Sequence, residues 1–165
     1  MSTVRPFVRL APLRFPFLLL VLLSFLPTAA LAQPDPSIGR WKLNLAKSKY
    51  ASGPAPQNLT VIIEAAGQGI RVTARTVRAN GSVVETQYTA YLDGQDYPVT
   101  GSPDYDSVSL KSSGTTVDGV RKKNGKVVQT YQRVVSPDRK TMTVATTGVN
   151  AQGDKLSNVA VFDRQ

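Results

Sequence analysis

The chain has 165 residues, 20 of them lysine or arginine against 11 aspartate or glutamate, for a formal net charge of +9, and it contains neither cysteine nor histidine. That excludes disulfides, thiolate nucleophiles, imidazole bases, Ser-His-Asp triads, and cysteine- or histidine-held metals. Catalysis would fall to carboxylates, lysine or tyrosine, and no constellation of these stands out, so the expectation is a non-enzymatic protein with no cofactor and no metal.

In the first 32 residues Arg5, Arg9 and Arg14 are the only charges, Phe15 to Leu26 is almost unbroken apolar sequence, and Ala30-Leu31-Ala32 has the small-x-small pattern of a cleavage site. The apolar run is shorter than the roughly 20 residues a spanning helix needs. Residues 1–32 are therefore expected to be a cleaved signal peptide, and the protein to be secreted or periplasmic, soluble and without a membrane span. Loss of the three arginines takes the net charge from +9 to +6, enough for weak attraction to anionic surfaces.

Residues 33–38, with two prolines, read as a flexible lead-in, and residues 39–165 as one domain built on a period of two. Trp41, Leu43 and Leu45 alternate with polar residues and predict a first strand. Gly53, Pro54 and Pro56 make Ala46 to Gln57 a long loop, with room for one turn of helix at Ala46 to Tyr50. Strands follow on Leu59, Val61, Ile63 and Ala65, then on Ile70, Val72 and Ala74, and Asn80-Gly81 supplies a hairpin turn. Val83 to Leu92 is the next strand, with Asp93-Gly94 expected as the turn after it. Tyr97 to Thr100, Ser107 to Ser112 and Thr115 to Lys122 lead to Asn124-Gly125, the strongest hairpin signal in the chain. Lys126 to Val135, Thr141 to Val149 and Leu156 to Asp163 complete the series.

The segment Val77 to Tyr88 returns, with one slipped residue, as Val120 to Tyr131, implying two similar hairpins. A meander of about ten strands would expose two edges unless it closes. The expected fold is all-β: a single antiparallel up-and-down barrel of about 8–10 strands. Its inward set is expected to include Trp41, Leu59, Val61, Ile63, Ile70, Val72, Tyr88, Leu110, Tyr131, Met142, Val144 and Phe162, with Ala74, Ala90 and Ala160 as small members.

Gly39-Arg40-Trp41 opening such a meander, Gln129 to Val135, and Val-x-Val-Phe-Asp at Val159 to Asp163 together resemble the lipocalin and fatty-acid-binding-protein (calycin) superfamily. Trp-Lys-Leu-Asn-x-x-x-Ser-Lys-Tyr (Trp41 to Tyr50) and Asp-Tyr-Pro-Val-Thr-Gly-x-Pro-Asp (Asp96 to Asp104) are similar to a set of secreted bacterial lipocalin-like proteins. The resemblance implies that Trp41 closes one end of the barrel against an arginine, here Arg133. It also implies that an arginine at the Arg133 position orients a ligand carboxylate. The Arg-x-Tyr that assists it in the fatty-acid binders reads Ala160-Val161-Phe162 here.

A barrel of this size either fills with side chains or holds one small ligand. The first expectation is a binding protein for a small hydrophobic or amphipathic molecule, contacted by Arg133, Tyr131, Tyr88, Trp41 and Phe162. The alternative is a packed barrel of the cell envelope that meets an anionic partner through a basic hairpin tip of Arg121, Lys122, Lys123 and Lys126. Nucleic acid is disfavoured, because the aromatics are not interleaved with the basic residues. Asp93, Asp96, Asp104 and Asp106 crowd one region, but Asp-Gly and Pro-Asp are ordinary turn chemistry and the spacing is not that of a calcium loop. Oligomeric state is left open by the sequence.

Overall fold

The computed structural model describes residues 35–165; the expected signal peptide lies outside the described residues. Eleven strands follow in order: β1 (Gly39–Leu43), β2 (Lys49–Tyr50), β3 (Asn58–Ala66), β4 (Gly69–Val77), β5 (Val83–Ala90), β6 (Asp93–Thr100), β7 (Ser107–Ser113), β8 (Thr116–Lys123), β9 (Lys126–Val135), β10 (Thr141–Val149) and β11 (Lys155–Arg164). Each of the strands from β3 to β11 pairs antiparallel with the next, and β1 pairs on one side with β3 and on the other with β11. Trp41 lies opposite both Val61 and Arg164, so the sheet closes on itself as a ten-stranded meander barrel. Closure gives every long strand two partners and removes the exposed edges.

The eleventh strand, β2, continues the line of β1 along β11 after an interruption. Asn44 Oδ1 accepts from the Lys47 amide (3.2 Å) and caps a single 3-10 turn over Leu45–Lys47. The Ser48 hydroxyl then accepts from the Val161 amide (2.9 Å), standing in for a missing carbonyl in the ladder. The turn of helix expected at Ala46 to Tyr50 is thus shorter and earlier, and Lys49–Tyr50 is strand.

The turn expected at Asp93-Gly94 is found there: Gln87 pairs with Thr100 and Tyr88 with Val99, a register centred on these two residues, and Gly94 has a positive φ (81°). Asp93 Oδ1 accepts from the Gln95 amide (2.9 Å) and the ladder to β7 shifts register between Asp93 and Asp96, so the turn residues also open β6 with a bulge. Asn124-Gly125 is the two-residue turn expected; both residues have positive φ (50° and 75°), which suits a primed hairpin.

Alternation decides the inside. The expected inward residues all join the buried core, pack against it or line the cavity within it, with Val99, Val108, Val117 and Val135 added. The meander's turns fall alternately at two ends. At the end where β1 begins, Trp41, Ile63, Ile70 and Met142 are at most 2% exposed. The Trp41 indole donates to Ser37 O (2.7 Å) and the Arg164 guanidinium lies 4.3 Å over its ring. Arg164 is itself held by the carbonyls of Pro36, Ile38 and Arg139. The arginine on Trp41 is therefore Arg164, and the expected Trp41–Arg133 pair does not form. Arg133 lies on β9, whereas β11 runs directly beside β1 and brings Arg164 opposite Trp41.

Candidate functional site

The other half of the barrel is hollow. A cavity of about 300 Å3, open to solvent on one side, is walled by apolar side chains that include Leu59, Val61, Val72, Val144, Leu156 and Phe162. Among these stand a few polar groups: Tyr88, Tyr131, Arg121, Gln129, Arg133 and Asn158. Apolar walls with a small number of placed polar groups are what a small-molecule site requires.

Two neighbouring strands supply most of the polar set. On β8, Val117, Gly119 and Arg121 share the inner face; on β9, Gln129, Tyr131, Arg133 and Val135 do. Pairing sets Gly119 opposite Tyr131 and Arg121 opposite Gln129. A Cβ on Gly119 would overlap the Tyr131 ring, so only glycine lets that ring lie across β8. The ring then sits under the Arg121 guanidinium at 4.4 Å, and Tyr105 presents a second ring at 4.7 Å. Arg121 donates from Nη1 to Gln129 Oε1 (2.9 Å), and Gln129 is oriented by donating to Val149 O (3.0 Å). The Nε of Arg121 is buried without an acceptor, as are Arg133 Nε and, wanting a donor, Asn158 Oδ1.

The loop that carries Tyr105 is tied down on three sides. Asp104 Oδ1 accepts from the Ala151 amide (2.9 Å), Asp106 Oδ2 from the Asn124 amide (2.9 Å), and the Asp106 amide donates to Lys122 O (2.9 Å). Asp93 accepts from the Tyr97 hydroxyl (2.8 Å), and Asp96 pairs with Lys122 (2.7 Å). The four aspartates thus act as separate loop and strand ties.

Arg133 has a different environment. Its Nη2 pairs with Asp35 Oδ2 at 3.3 Å, with side chains 5% and 10% exposed, while Asp35 Oδ1 accepts from the Ser37 amide and hydroxyl (2.8 and 2.6 Å). The lead-in segment therefore delivers a carboxylate to Arg133 from the packed end. Burial, with Tyr131 beside it, pushes the Tyr88 phenol well above the usual range, so Tyr88 is neutral at physiological pH. Burial opposes the charge on Arg121, but nearby Tyr105, Tyr131, Tyr88 and Asp104 outweigh it and keep its pKa above the ordinary guanidinium value.

Of the five residues expected to contact a ligand, Arg133, Tyr131, Tyr88 and Phe162 line the cavity. Trp41 does not; it is 0% exposed beneath the floor, because β1 sets it in the packed end. The four-cation hairpin tip is also corrected. Arg121 faces inward, in step with Val117 and Gly119, and Lys122 faces outward onto Asp96, leaving Lys123 and Lys126 at the tip. Sequence reasoning missed Arg121, Gln129, Tyr105, Asn158 and Asp35 as interior groups. The signal for Arg121 was present in the strict alternation of its strand.

No family model matches the chain, and no curated protein matches it. Among solved structures it is similar to the zebrafish ileal bile acid-binding protein crystallised with cholic acid, at 12% identity and a TM-score of 0.45, over 79% of this chain and 99% of that one. A likeness of that size transfers neither function nor residue roles. The barrel rests on its own strand pairing, which is the architecture that the lipocalin and fatty-acid-binding resemblance implied.

Proposed function

We propose that the protein is a non-enzymatic binding protein that takes one small hydrophobic or amphipathic molecule into its barrel, acting outside the cytoplasm as a secreted or periplasmic protein. The observation that carries this reading is the open cavity of about 300 Å3 in one half of a barrel whose other half is packed. Its volume lies at the lower end of small-molecule pockets. A packed interior would have filled that space with side chains, as the opposite half does. The non-enzymatic reading draws on the polar groups at hand: amides, phenols and guanidiniums that orient a ligand, with Tyr88 held neutral by burial and so unsuited to act as a base near neutral pH. The exported setting draws on the apolar run and small-x-small site within residues 1–32.

Native mass spectrometry of the protein purified from the exported fraction, with an organic extract of the same sample analysed for small molecules, tests the reading. A reproducible mass above the polypeptide, matched by an extracted amphiphile, is expected. A bare mass that stays bare after challenge with fatty acids, sterols and aromatic compounds would overturn it.

A further inference from the structure

The interior holds two arginines, and their charges are not equivalent. Arg133 is neutralised by Asp35, a carboxylate of the same chain locked in place by Ser37. Arg121 forms no ion pair among the described residues. Its one hydrogen-bonded partner is the neutral amide of Gln129, its guanidinium lies over the rings of Tyr105 and Tyr131, and its Nε is buried without an acceptor. Asp104 also lines the cavity, but it is held by the Ala151 amide and makes no ion pair with Arg121.

A guanidinium cannot relieve this by deprotonating, because it titrates far above neutral pH. Arg121 is half-buried, with its Nε fully shielded from water, and a charge partly withdrawn from water without an ion-pair partner is one that an incoming anion can stabilise. With two rings beside the guanidinium and Nη1 committed to Gln129, its other N–H groups are left for a further acceptor, and a planar fork of that kind suits an oxyanion.

We propose that Arg121, positioned by Gln129, Tyr105 and Tyr131, binds the anionic head group of an amphipathic ligand carrying a single negative charge, with its apolar tail running down the cavity toward Phe162. The inference rests on the binding reading above and sharpens it. Arg121 lies three residues before Asn124 of the Asn124-Gly125 turn, so the head sits at the turn end and the tail points to the packed floor. One charge is specified because a single guanidinium in the cavity wall lies over tyrosine rings and makes no ion pair among the described residues. Arg133, where the superfamily resemblance would look for the carboxylate, is already occupied by Asp35.

The test uses decanoate, 1-decanol and decylamine, which share a tail and differ in head, each titrated by displacement of 1-anilinonaphthalene-8-sulfonate fluorescence and by calorimetry. Decanoate is expected to bind about 10- to 100-fold more tightly than decanol, the ratio a charge-assisted hydrogen bond gives, and decylamine more weakly still. Arg121→Gln should bring decanoate to the level of decanol, and Arg121→Lys should keep a preference for decanoate. Lys123→Gln, at the hairpin tip outside the cavity, should leave the preference intact. Equal affinity of the wild type for decanoate and decanol overturns the inference while leaving the cavity reading in place. So does a preference that disappears with Arg133 and survives Arg121→Gln. Binding of none of these probes to the wild type would remove the binding reading and this inference with it. The wild-type head-group comparison needs no variant, so it decides the matter even where Arg121→Gln does not fold.

Discussion

At the end where β1 begins, the inner faces of the strands carry Trp41, Ile63, Ile70 and Met142, each at most 2% exposed, and the segment before β1 and the end of β11 complete the closure through Ser37, Ile38 and Arg164. At the other end the same strands carry Tyr88, Gln129, Arg121 and Asn158 around open space. Both halves obey one alternation and one hydrogen-bond ladder, so the ladder does not decide which half is filled. Side-chain character decides it: apolar groups interdigitate without further demands, while guanidiniums and amides need partners in fixed directions and hold space open around them. Packed and open space are therefore separated along the barrel axis, with Arg133 and Asp35 at the boundary.

The largest expected effects test that separation directly. Trp41→Ala should cost about 3 to 5 kcal/mol, since it removes a fully buried indole and leaves Arg164 without its ring. Leu59→Ala, at a half-buried position of the cavity wall, should cost about 1 kcal/mol, the loss of a few methylenes from partial burial. Urea unfolding followed by circular dichroism measures both, and costs within about 0.5 kcal/mol of one another would mean that the two ends contribute alike. At the boundary, Asp35→Ala strands Arg133 as a buried unpaired charge and should cost about 3 kcal/mol. Adding Arg133→Met should restore most of that loss, because the charge and its need for a partner vanish together. A double variant no more stable than Asp35→Ala would show that the lead-in segment closes the barrel by packing instead of by this ion pair.

Much of the packed half was legible in the sequence. Period-two alternation from Leu59 to Phe162 specified which residues face inward, because a slip of one residue would have put the whole apolar set in water. The hollow half was harder to read, for reasons that lie in its residues. Arg121 follows Gly119 in step with the inner face, yet it opens a run of four cations, and a charge run at a hairpin tip reads as a solvated surface until the facing Gln129 and the rings of Tyr105 and Tyr131 are known. Asp35 and Arg133 are separated by 98 positions, and Tyr105 sits on a loop whose path is set by Asp104 and Asp106. No periodicity encodes such pairings. Arg164 displaced Arg133 from Trp41 because barrel closure brings the first and last long strands together, a consequence of topology that local motifs do not carry.

Gly119→Ala should act on the hollow half alone. The new methyl group meets the Tyr131 ring, which must swing away from its place under Arg121. Overpacking of this kind costs about 1 to 3 kcal/mol, and the binding of decanoate should fall with it while Trp41 emission is unchanged. Decanoate affinity equal to the wild type's would mean that the Tyr131 ring has no part in positioning Arg121.

The smallest effect separates the halves by pH. Tyr88, 8% exposed between floor and cavity, has its phenol pKa raised well above the usual value, chiefly by burial. The unfolded chain ionises this phenol near pH 10 and the native protein does so only at higher pH. Native stability gained from the neutral phenol is thus fully present below pH 10 and declines as pH rises from there toward the raised native pKa, since ionisation then favours the unfolded chain. Tyr88→Phe removes that contribution. Urea midpoints measured between about pH 8 and pH 11 should fall less steeply for the variant than for the wild type. Parallel declines would show that the Tyr88 phenol is as well hydrated as in the unfolded chain, and would extend the wet half of the barrel down to its floor.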